Sequence, residues 1–174
     1  MGEIGKKAIS TREAFGKAIL ELGASVENLV VLDGDISRST YTVEFSQRFP
    51  DRHINVGIAE QNQMGVAAGL ALAGYRPIVA SYAVFASMRG LEQVRTSICY
   101  PKINVTIAAS HGGLTPGNDG VTHQAVEDLG IMRTLPNMTV IAPADGVSLT
   151  PLLRQAIDWD GPVYIRLTRD AVPI

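Results

Sequence analysis

The sequence predicts an α/β fold in which helices cover both faces of a mostly parallel sheet. Short continuous apolar runs, such as residues 29–32, alternate with segments of helical periodicity, a pattern typical of parallel strands buried on both faces. The 174 residues are 46% hydrophobic and 18% charged, which suffices for one well-cored domain but not for two. We therefore expect a single domain over residues 1–174.

Each element is predicted from a local signal. The first helix is expected to begin at a capping box, with Ser10 as N-cap and Glu13 three residues later, and to end near Gly23. Apolar runs predict strands at residues 29–32, 53–56, 77–80, 104–108, 139–141 and 163–167. Helical spacing predicts further helices at residues 43–48, 60–73, 87–100 and 145–159.

One irregular stretch, residues 110–122, contains four glycines and a proline and is too long for an ordinary connection. Loops of this length in compact domains are usually functional or disordered. In parallel α/β sheets, ligands bind beyond the carboxyl ends of the strands, and this loop follows a predicted strand. We therefore expect the functional site there.

Charge and cysteine content exclude several classes of protein. Fifteen Lys and Arg against seventeen Asp and Glu give a net charge of −2, which leaves no cationic field for nucleic acid or an anionic membrane. The single cysteine, Cys99, allows no internal disulfide, and no Cys/His cluster predicts a structural metal. The weakly polar run 65–75 is too short to span a bilayer, and no secretory signal begins the sequence. We expect a cytoplasmic protein.

The residues that remain as candidates for catalysis are a carboxylate and two histidines. The sequence has no phosphate-binding glycine motif and no Gly-x-Ser-x-Gly, which disfavours a self-sufficient NTPase, dehydrogenase or serine hydrolase. Glu60 stands where a strand gives way to a helix, and the helix dipole alone explains a glutamate there. His111 and His123 are either solvent-facing or a hydrogen-bonding pair near neutral pH, and their spacing does not decide.

Five motifs in order along the chain carry a family resemblance. They are LDGDISRS (32–39), VGIAEQN (56–62), SYAVFASM (81–88), SHGGLTPGNDGVTHQAVED (110–128) and APADG (142–146). Together they resemble the pyrimidine-binding domain of transketolase, over nearly the whole chain from Ser10 to Arg169. The resemblance implies the thiamine diphosphate-binding fold and its chemistry.

Residue by residue, the resemblance assigns a cofactor pocket. Glu60 matches the glutamate that hydrogen-bonds the aminopyrimidine ring of thiamine diphosphate and so promotes loss of the thiazolium C2 proton. Phe85 matches the aromatic that stacks on that ring, with Tyr82 in the same pocket. Asp35 is assigned to the cofactor as well.

The resemblance also assigns substrate contacts. His111 and His123 match histidines that contact the donor sugar and its reacting oxygens, and Asp119 matches the aspartate that reads the C2 hydroxyl of the acceptor. Arg12, Ser39 and Arg169 match three family positions that bind the phosphate of the sugar, and guanidinium groups suit phosphate. Each of these residues alone is more often solvated surface.

The resemblance further implies a partner. The family's diphosphate half carries Gly-Asp-Gly followed by Asn as magnesium ligands, and residues 32–36 have the wrong frame for that motif. The chain is therefore similar to the C-terminal subunit of a split transketolase, without the third domain that normally follows. The diphosphate and its Mg²⁺ or Ca²⁺ would belong to a separate subunit, and an apolar face left for that subunit predicts self-association.

Three other assignments compete with this one. Deoxyxylulose-phosphate synthase and the β subunit of pyruvate dehydrogenase share the domain, but a histidine at the position of His111 favours transketolase. A protein of another class, a catalytically idle structural or regulatory partner, would have no chemical need for Glu60, Phe85, Asp119 and both histidines together. The resemblance therefore implies a two-carbon ketol transferase that acts on sugar phosphates.

Overall fold

A computed structural model describes residues 8–173 as eight strands and seven α-helices. The strands are β1 (Ala8–Ser10), β2 (Leu29–Asp33), β3 (His53–Asn55), β4 (Arg76–Tyr82), β5 (Thr106–Ser110), β6 (Thr139–Ile141), β7 (Val163–Arg166) and β8 (Ala171–Pro173). The helices are α1 (Thr11–Ser25), α2 (Ser37–Thr40), α3 (Val43–Arg48), α4 (Glu60–Leu72), α5 (Leu91–Gln93), α6 (Asp128–Arg133) and α7 (Gly146–Ala156). Short 3₁₀ turns lie at Pro50–Arg52 and Gly117–Asp119.

Six strands form one parallel sheet in the order β3-β2-β4-β5-β7-β6, which confirms the predicted α/β fold. The remaining two, β1 and β8, pair antiparallel outside this sheet. The sequence analysis did not predict either of them, because each is a short segment near one end of the chain that becomes a strand only by pairing with the other. Their pairing places the start of α1 beside the segment that follows β7.

Alternate residues of the central strands enter two separate cores. Val30 and Leu32 of β2 pack in the cluster that contains residues of α4. Leu29 and Val31 point the other way, into the cluster that contains residues of α1 and α7. Both faces of the sheet are therefore covered, which is why these strands appear in the sequence as unbroken apolar runs.

The segment predicted as one helix over residues 87–100 has a different form. A π-helical turn, Phe85–Arg89, precedes α5, and a second, Val94–Cys99, follows it. Hydrogen bonds of the wider spacing run from Gly90 N–H to Phe85 O at 3.0 Å and from Tyr100 N–H to Arg95 O at 2.9 Å. Apolar spacing cannot distinguish these wider turns from α-helix. Burial of Cys99 raises the pKa of its thiol to about 11.

Two further predictions needed correction at helix ends. Ser10 caps α1 as expected, since its Oγ accepts the Glu13 N–H at 3.2 Å, but the Glu13 carboxylate pairs with Lys17 at 2.8 Å instead of closing the capping box. Helix α6, of six residues, was not predicted. The other boundaries differ by only a few residues from those predicted.

Helix α1 approaches the turn between α2 and α3 closely. A Cβ added at Gly16 would lie 2.7 Å from the Cβ of Tyr41 and 2.8 Å from its backbone oxygen. Tyr41 itself has a left-handed backbone, with φ at 61°. The guanidinium of Arg12, in the first turn of α1, lies 5.3 Å over the Tyr41 ring. The glycine therefore lets α1 settle where Arg12 reaches the carboxyl edge of the sheet.

We expect Gly16→Ala to lower the free energy of unfolding by about 1–3 kcal/mol, because the added methyl group forces α1 away from a backbone atom. The helix propensity of alanine acts in the opposite direction by about 1 kcal/mol. Gly69→Ala in α4 is the matched control, since nothing lies within 4 Å of its added Cβ. Urea denaturation of both variants tests this, and equal stability of the two would contradict the close contact.

Candidate functional site

The residues of interest collect where the parallel strands end. The connection after β2 leads to β3 on one side, and the connection after β4 leads to β5 on the other, so the chain leaves two neighbouring strands in opposite directions. Ligands of α/β sheets bind at such a switch point. Glu60 begins the helix after β3, Tyr82 ends β4, and His111 follows β5. The predicted site residues therefore lie along one edge of the sheet.

Four rings form an aromatic cluster, which we define as Tyr82, Phe85, His111 and His123. The rings of Tyr82 and Phe85 are nearly parallel, with centroids 5.7 Å apart at 9°. His111 stacks on Tyr82 at 3.8 Å and 25°. His123 meets Tyr82 and Phe85 edge-on, at 6.1 Å and 5.4 Å. Tyr82 is buried while Phe85 is partly exposed, so the cluster offers an accessible aromatic surface with polar nitrogens beside it.

His111 is held as a neutral ring in one tautomer. Its Nδ1 lies 2.9 Å from the Oγ of Ser110, which donates in turn to the backbone oxygen of Ser81 at 3.3 Å. Ser110 Oγ must then accept from Nδ1–H, which leaves Nε2 as an acceptor for Arg12 Nη1 at 3.3 Å. Burial, followed by the positive charges of Arg12 and Arg169, lowers the pKa of His111 to about 4.

The three residues assigned to phosphate fall into neighbouring segments. Arg12 Nη1 donates to the backbone oxygen of Ser39 at 3.0 Å. The backbone N–H of Arg12 contacts Thr168 O at 3.4 Å, which brings Arg169 beside the start of α1. Arg169 pairs with Asp119 at 3.2 Å and also donates to the backbone oxygen of Pro116. The structure thus places two guanidinium groups near each other, one of them paired with a carboxylate.

The loop residues and Asp35 differ in how they relate to the cluster. Asp119 is exposed on the 3₁₀ turn of the loop, and half-buried His123 has its Nδ1 2.9 Å from the Oγ1 of Thr122. Asp35 is exposed with φ at 68° and accepts a hydrogen bond from Asn55 Nδ2 at 3.1 Å. The structure therefore joins Asp35 to β3 rather than to the aromatic cluster.

Glu60 begins α4 and is half-buried, and its side chain makes no hydrogen bond or ion pair within residues 8–173. Its position is fixed from below by Gln63, one turn later. The buried Nε2 of Gln63 donates to the backbone oxygens of Leu32 at 3.0 Å and Ala80 at 3.1 Å, at the ends of β2 and β4. The start of α4 is thereby tied to both strands at the switch point.

This set of groups fits an aminopyrimidine ring. Phe85 and Tyr82 supply flat aromatic faces, and a stacked ring gains about 0.5–1.5 kcal/mol beyond burial of its area. The carboxyl of Glu60 is free within the described chain to bond a ring nitrogen. Within residues 8–173 no three His, Cys, Asp or Glu side chains are grouped to hold a metal ion, and none of the helices there is long and apolar enough to cross a membrane.

Three contributors to the site were missed in the sequence. Ser110 sets the tautomer of His111, Gln63 anchors α4, and Arg166 lies under the loop that carries both histidines. Only the Gly112–Gly113 pair carried a signal, because two glycines after a strand indicate close approach of another group. The approaching group is the side chain of Arg166, since a Cβ added at Gly112 would lie within 3 Å of it.

Known proteins are similar to this chain in sequence and in architecture. Residues 7–174 match the family described as transketolase, pyrimidine binding domain. The chain is 48% identical over 158 residues to a Methanocaldococcus jannaschii protein named "Putative transketolase C-terminal section", covering 91% of this chain and 50% of that protein. It is 38% identical over 161 residues to a 1-deoxy-D-xylulose-5-phosphate synthase of Desulforudis audaxviator, covering 92% of this chain and 25% of that enzyme.

A solved structure described as "Split gene transketolase, inactive beta4 tetramer" superposes with a TM-score of 0.86 at 52% identity, over 97% of this chain and 54% of that one. The chain thus spans about half the length of the split relatives it matches. The family match extends over nearly all of the sequence. The chain belongs to the transketolase pyrimidine-binding domain family.

Proposed function

We propose that this chain is the pyrimidine-binding part of a thiamine diphosphate-dependent transketolase, transferring a two-carbon ketol unit between sugar phosphates. A separate subunit supplies the diphosphate site and its Mg²⁺ or Ca²⁺. The observation that carries the proposal is the aromatic cluster, in which a neutral, tautomer-fixed His111 and a second histidine stand beside an accessible aromatic face. A domain kept only for structural reasons has no need of that arrangement.

The relatives support a divided enzyme. One of them is named as the C-terminal section of a transketolase, and a solved split-gene relative is described as an inactive tetramer of one subunit type. A pyrimidine-binding subunit assembled only with itself lacks the diphosphate half and would be inactive in the same way. We propose that this chain also self-associates, and that it works in the cytoplasm.

The residues of this chain divide the work between cofactor and substrate. When bound, thiamine diphosphate supplies a carbon nucleophile and an electron sink for cleavage beside the ketose carbonyl. Glu60 would hold the aminopyrimidine end by sharing a proton with its ring nitrogen, and Phe85 and Tyr82 would hold the ring face. These three residues orient the cofactor and exclude water from its pyrimidine edge.

Substrate contacts fall to the loop after β5 and to the two arginines. His111 Nε2 is an acceptor, so it can take a hydrogen bond from a sugar hydroxyl once Arg12 turns to a phosphate. Arg12 and Arg169 provide local positive charge on a chain whose net charge is −2. Ser39 lies beside Arg12 at the proposed phosphate site. His123 and Asp119 lie on the loop that would contact the sugar hydroxyls.

A deoxyxylulose-phosphate synthase-like activity is the second candidate, because one relative of that class is 38% identical. The buried His111 favours ketol transfer, since the resemblance places a histidine there in transketolases. Assays of the reconstituted complex with a ketose phosphate donor, or with pyruvate, and an aldose phosphate acceptor separate the two. Ketol transfer with no pyruvate turnover is the expected result, and absence of both activities would support an idle partner.

We expect Glu60→Gln to slow hydrogen–deuterium exchange at the C2 carbon of thiamine diphosphate by about 10²-fold or more in the reconstituted complex, because glutamine cannot share a proton with the ring. The measurement is quenched-flow exchange followed by NMR. Glu21→Gln, on the exposed face of α1, is the matched control and should exchange as the unaltered protein does. Exchange surviving in Glu60→Gln would show that another group activates the cofactor.

Titration calorimetry of the chain without its partner tests the divided site. We expect weak, magnesium-independent binding of thiamine diphosphate, because only the pyrimidine end finds contacts on this chain. Addition of the diphosphate-binding subunit should raise the affinity and make it magnesium-dependent. Tight magnesium-dependent binding to this chain alone would overturn the proposal of a second subunit.

Acidification should destabilise the fold through His111. Its folded pKa of about 4 lies below the usual value of 6.5, so the unfolded chain binds more protons and the free energy of unfolding falls from pH 6.5 down to pH 4. His111→Asn keeps a residue that tolerates left-handed φ but cannot titrate, and should flatten this slope. Burial also lowers the pKa of His53, but that residue is present in both proteins. Equal slopes in urea denaturation across this range would contradict the buried neutral ring.

A further inference from the structure

A buried charge cluster lies directly beneath the loop that carries both histidines. Asp128, at the start of α6, is 0% exposed, and its Oδ2 accepts a hydrogen bond from the hydroxyl of Tyr164 at 2.7 Å. Its Oδ1 lies 3.2 Å from Nη2 of Arg166, whose side chain is 23% exposed. Tyr164 and Arg166 are two apart on β7 and therefore point to the same side of the sheet.

Arg166 also binds the two ends of the loop. Its Nη2 donates to the backbone oxygen of Ala125 at 2.8 Å, and that oxygen accepts the Gly113 N–H at 2.8 Å as well. The return bond runs from Ala125 N–H to Gly113 O at 3.2 Å. Gly112 lies against the guanidinium stem, because a Cβ there would come within 2.4 Å of Nε. We name this arrangement of Gly112, Gly113, Ala125 and Arg166 the loop clasp.

The loop clasp adjoins both histidines in sequence. His111 immediately precedes Gly112, and His123 lies two residues before Ala125. His111 has φ at 60°, a left-handed conformation that persists only where the surroundings hold it. The surface loop between them is also anchored by the Gly112 N–H, which donates to Leu167 O at 3.0 Å, and by Arg169, which pairs with Asp119 and donates to the backbone oxygen of Pro116.

We infer that Arg166, paired with an Asp128 carboxylate that Tyr164 fixes, is a positioning residue that sets the separation and orientation of His111 and His123 through the loop clasp. This rests on the proposed function for what the histidines then do. Arg166 contacts backbone oxygen and a buried carboxylate, so it acts through the loop and not on substrate. Its Nη2 makes both contacts, with the Asp128 carboxylate and the Ala125 oxygen, and the rigid planar guanidinium holds that nitrogen in place more firmly than the flexible stem of lysine holds its ammonium.

Arg166→Lys is the test, because lysine keeps a positive charge opposite Asp128 and so spares the fold. Hydrogen exchange of the full chain should speed up about tenfold or more at the Gly113 and Ala125 amides, whose bonds form the clasp. The core amides of Ile107 and Ile165 should be unchanged. In complex with the diphosphate-binding subunit, kcat for ketol transfer should fall about 10- to 100-fold, as expected when reacting groups lose their placement.

Gly112→Ala reaches the same clasp from the other side, since its methyl group displaces the guanidinium without removing any charge, and it should reproduce both effects. Matched controls are Arg154→Lys on the exposed face of α7 and Gly130→Ala in α6, where nothing lies within 4 Å of the added Cβ. Both controls should behave as the unaltered protein.

Unchanged protection of Gly113 and Ala125 in Arg166→Lys would overturn the inference, as would lost protection with full activity. Equal acceleration at the core amides would overturn it too, because that reports general destabilisation. If the unaltered complex performs no ketol transfer, the proposed function fails, while the exchange data still decide whether Arg166 orders the loop.

Discussion

The burial of one imidazole ring organises this site. Tyr82 stacks on the ring of His111, Arg12 donates to its Nε2, and Ser110 fixes its other nitrogen. These contacts join the end of β4, the start of α1 and the loop after β5, which are far apart in sequence. The charged form of the ring is disfavoured there, because burial and two nearby guanidinium groups lower the pKa of His111 to about 4. The ring therefore works as a neutral acceptor over the whole physiological range of pH.

Close packing of backbone supports that ring from two directions. Gly16 lets α1 approach Tyr41, which brings Arg12 to the sheet edge, and Gly112 lets the loop settle on Arg166. In both places a neighbouring group, rather than solvent, occupies the space that a Cβ would need. Close packing beneath the polar side chains of the site thus fixes their contacts. The side chains have little freedom to move apart.

The sequence predicted most of the framework and part of the site. Strands such as β2 and β7 were predictable because burial on both faces makes them continuously apolar, and Glu60 was placed correctly at the start of a helix. The π-helical turns beginning at Phe85 were not, since apolar spacing is nearly the same in both kinds of helix. The resemblance to transketolase, rather than periodicity, singled out Phe85, whereas the two histidines already stood out on the long glycine-rich loop.

Other features escaped prediction for tertiary reasons. An arginine at a strand end, such as Arg166, is indistinguishable in sequence from a solvated one, and its buried partner Asp128 lies 38 residues earlier. Asp35 was assigned to the cofactor with the resemblance, and the structure shows it accepting a hydrogen bond from Asn55, a contact that no local pattern indicated. Which polar side chain faces a pocket depends on the path of the loop, and that path cannot be predicted from the local sequence.

The sealed thiol at the end of the second π-helical turn has a practical consequence for spectroscopy. Cys99 is the single cysteine of the chain, and with its pKa raised to about 11 almost none of it is thiolate near neutral pH. Maleimide dyes and nitroxide spin labels would therefore not react with it. A cysteine engineered onto an exposed position becomes the one reactive handle, so distances between this chain and a bound companion can be measured without first removing a native residue.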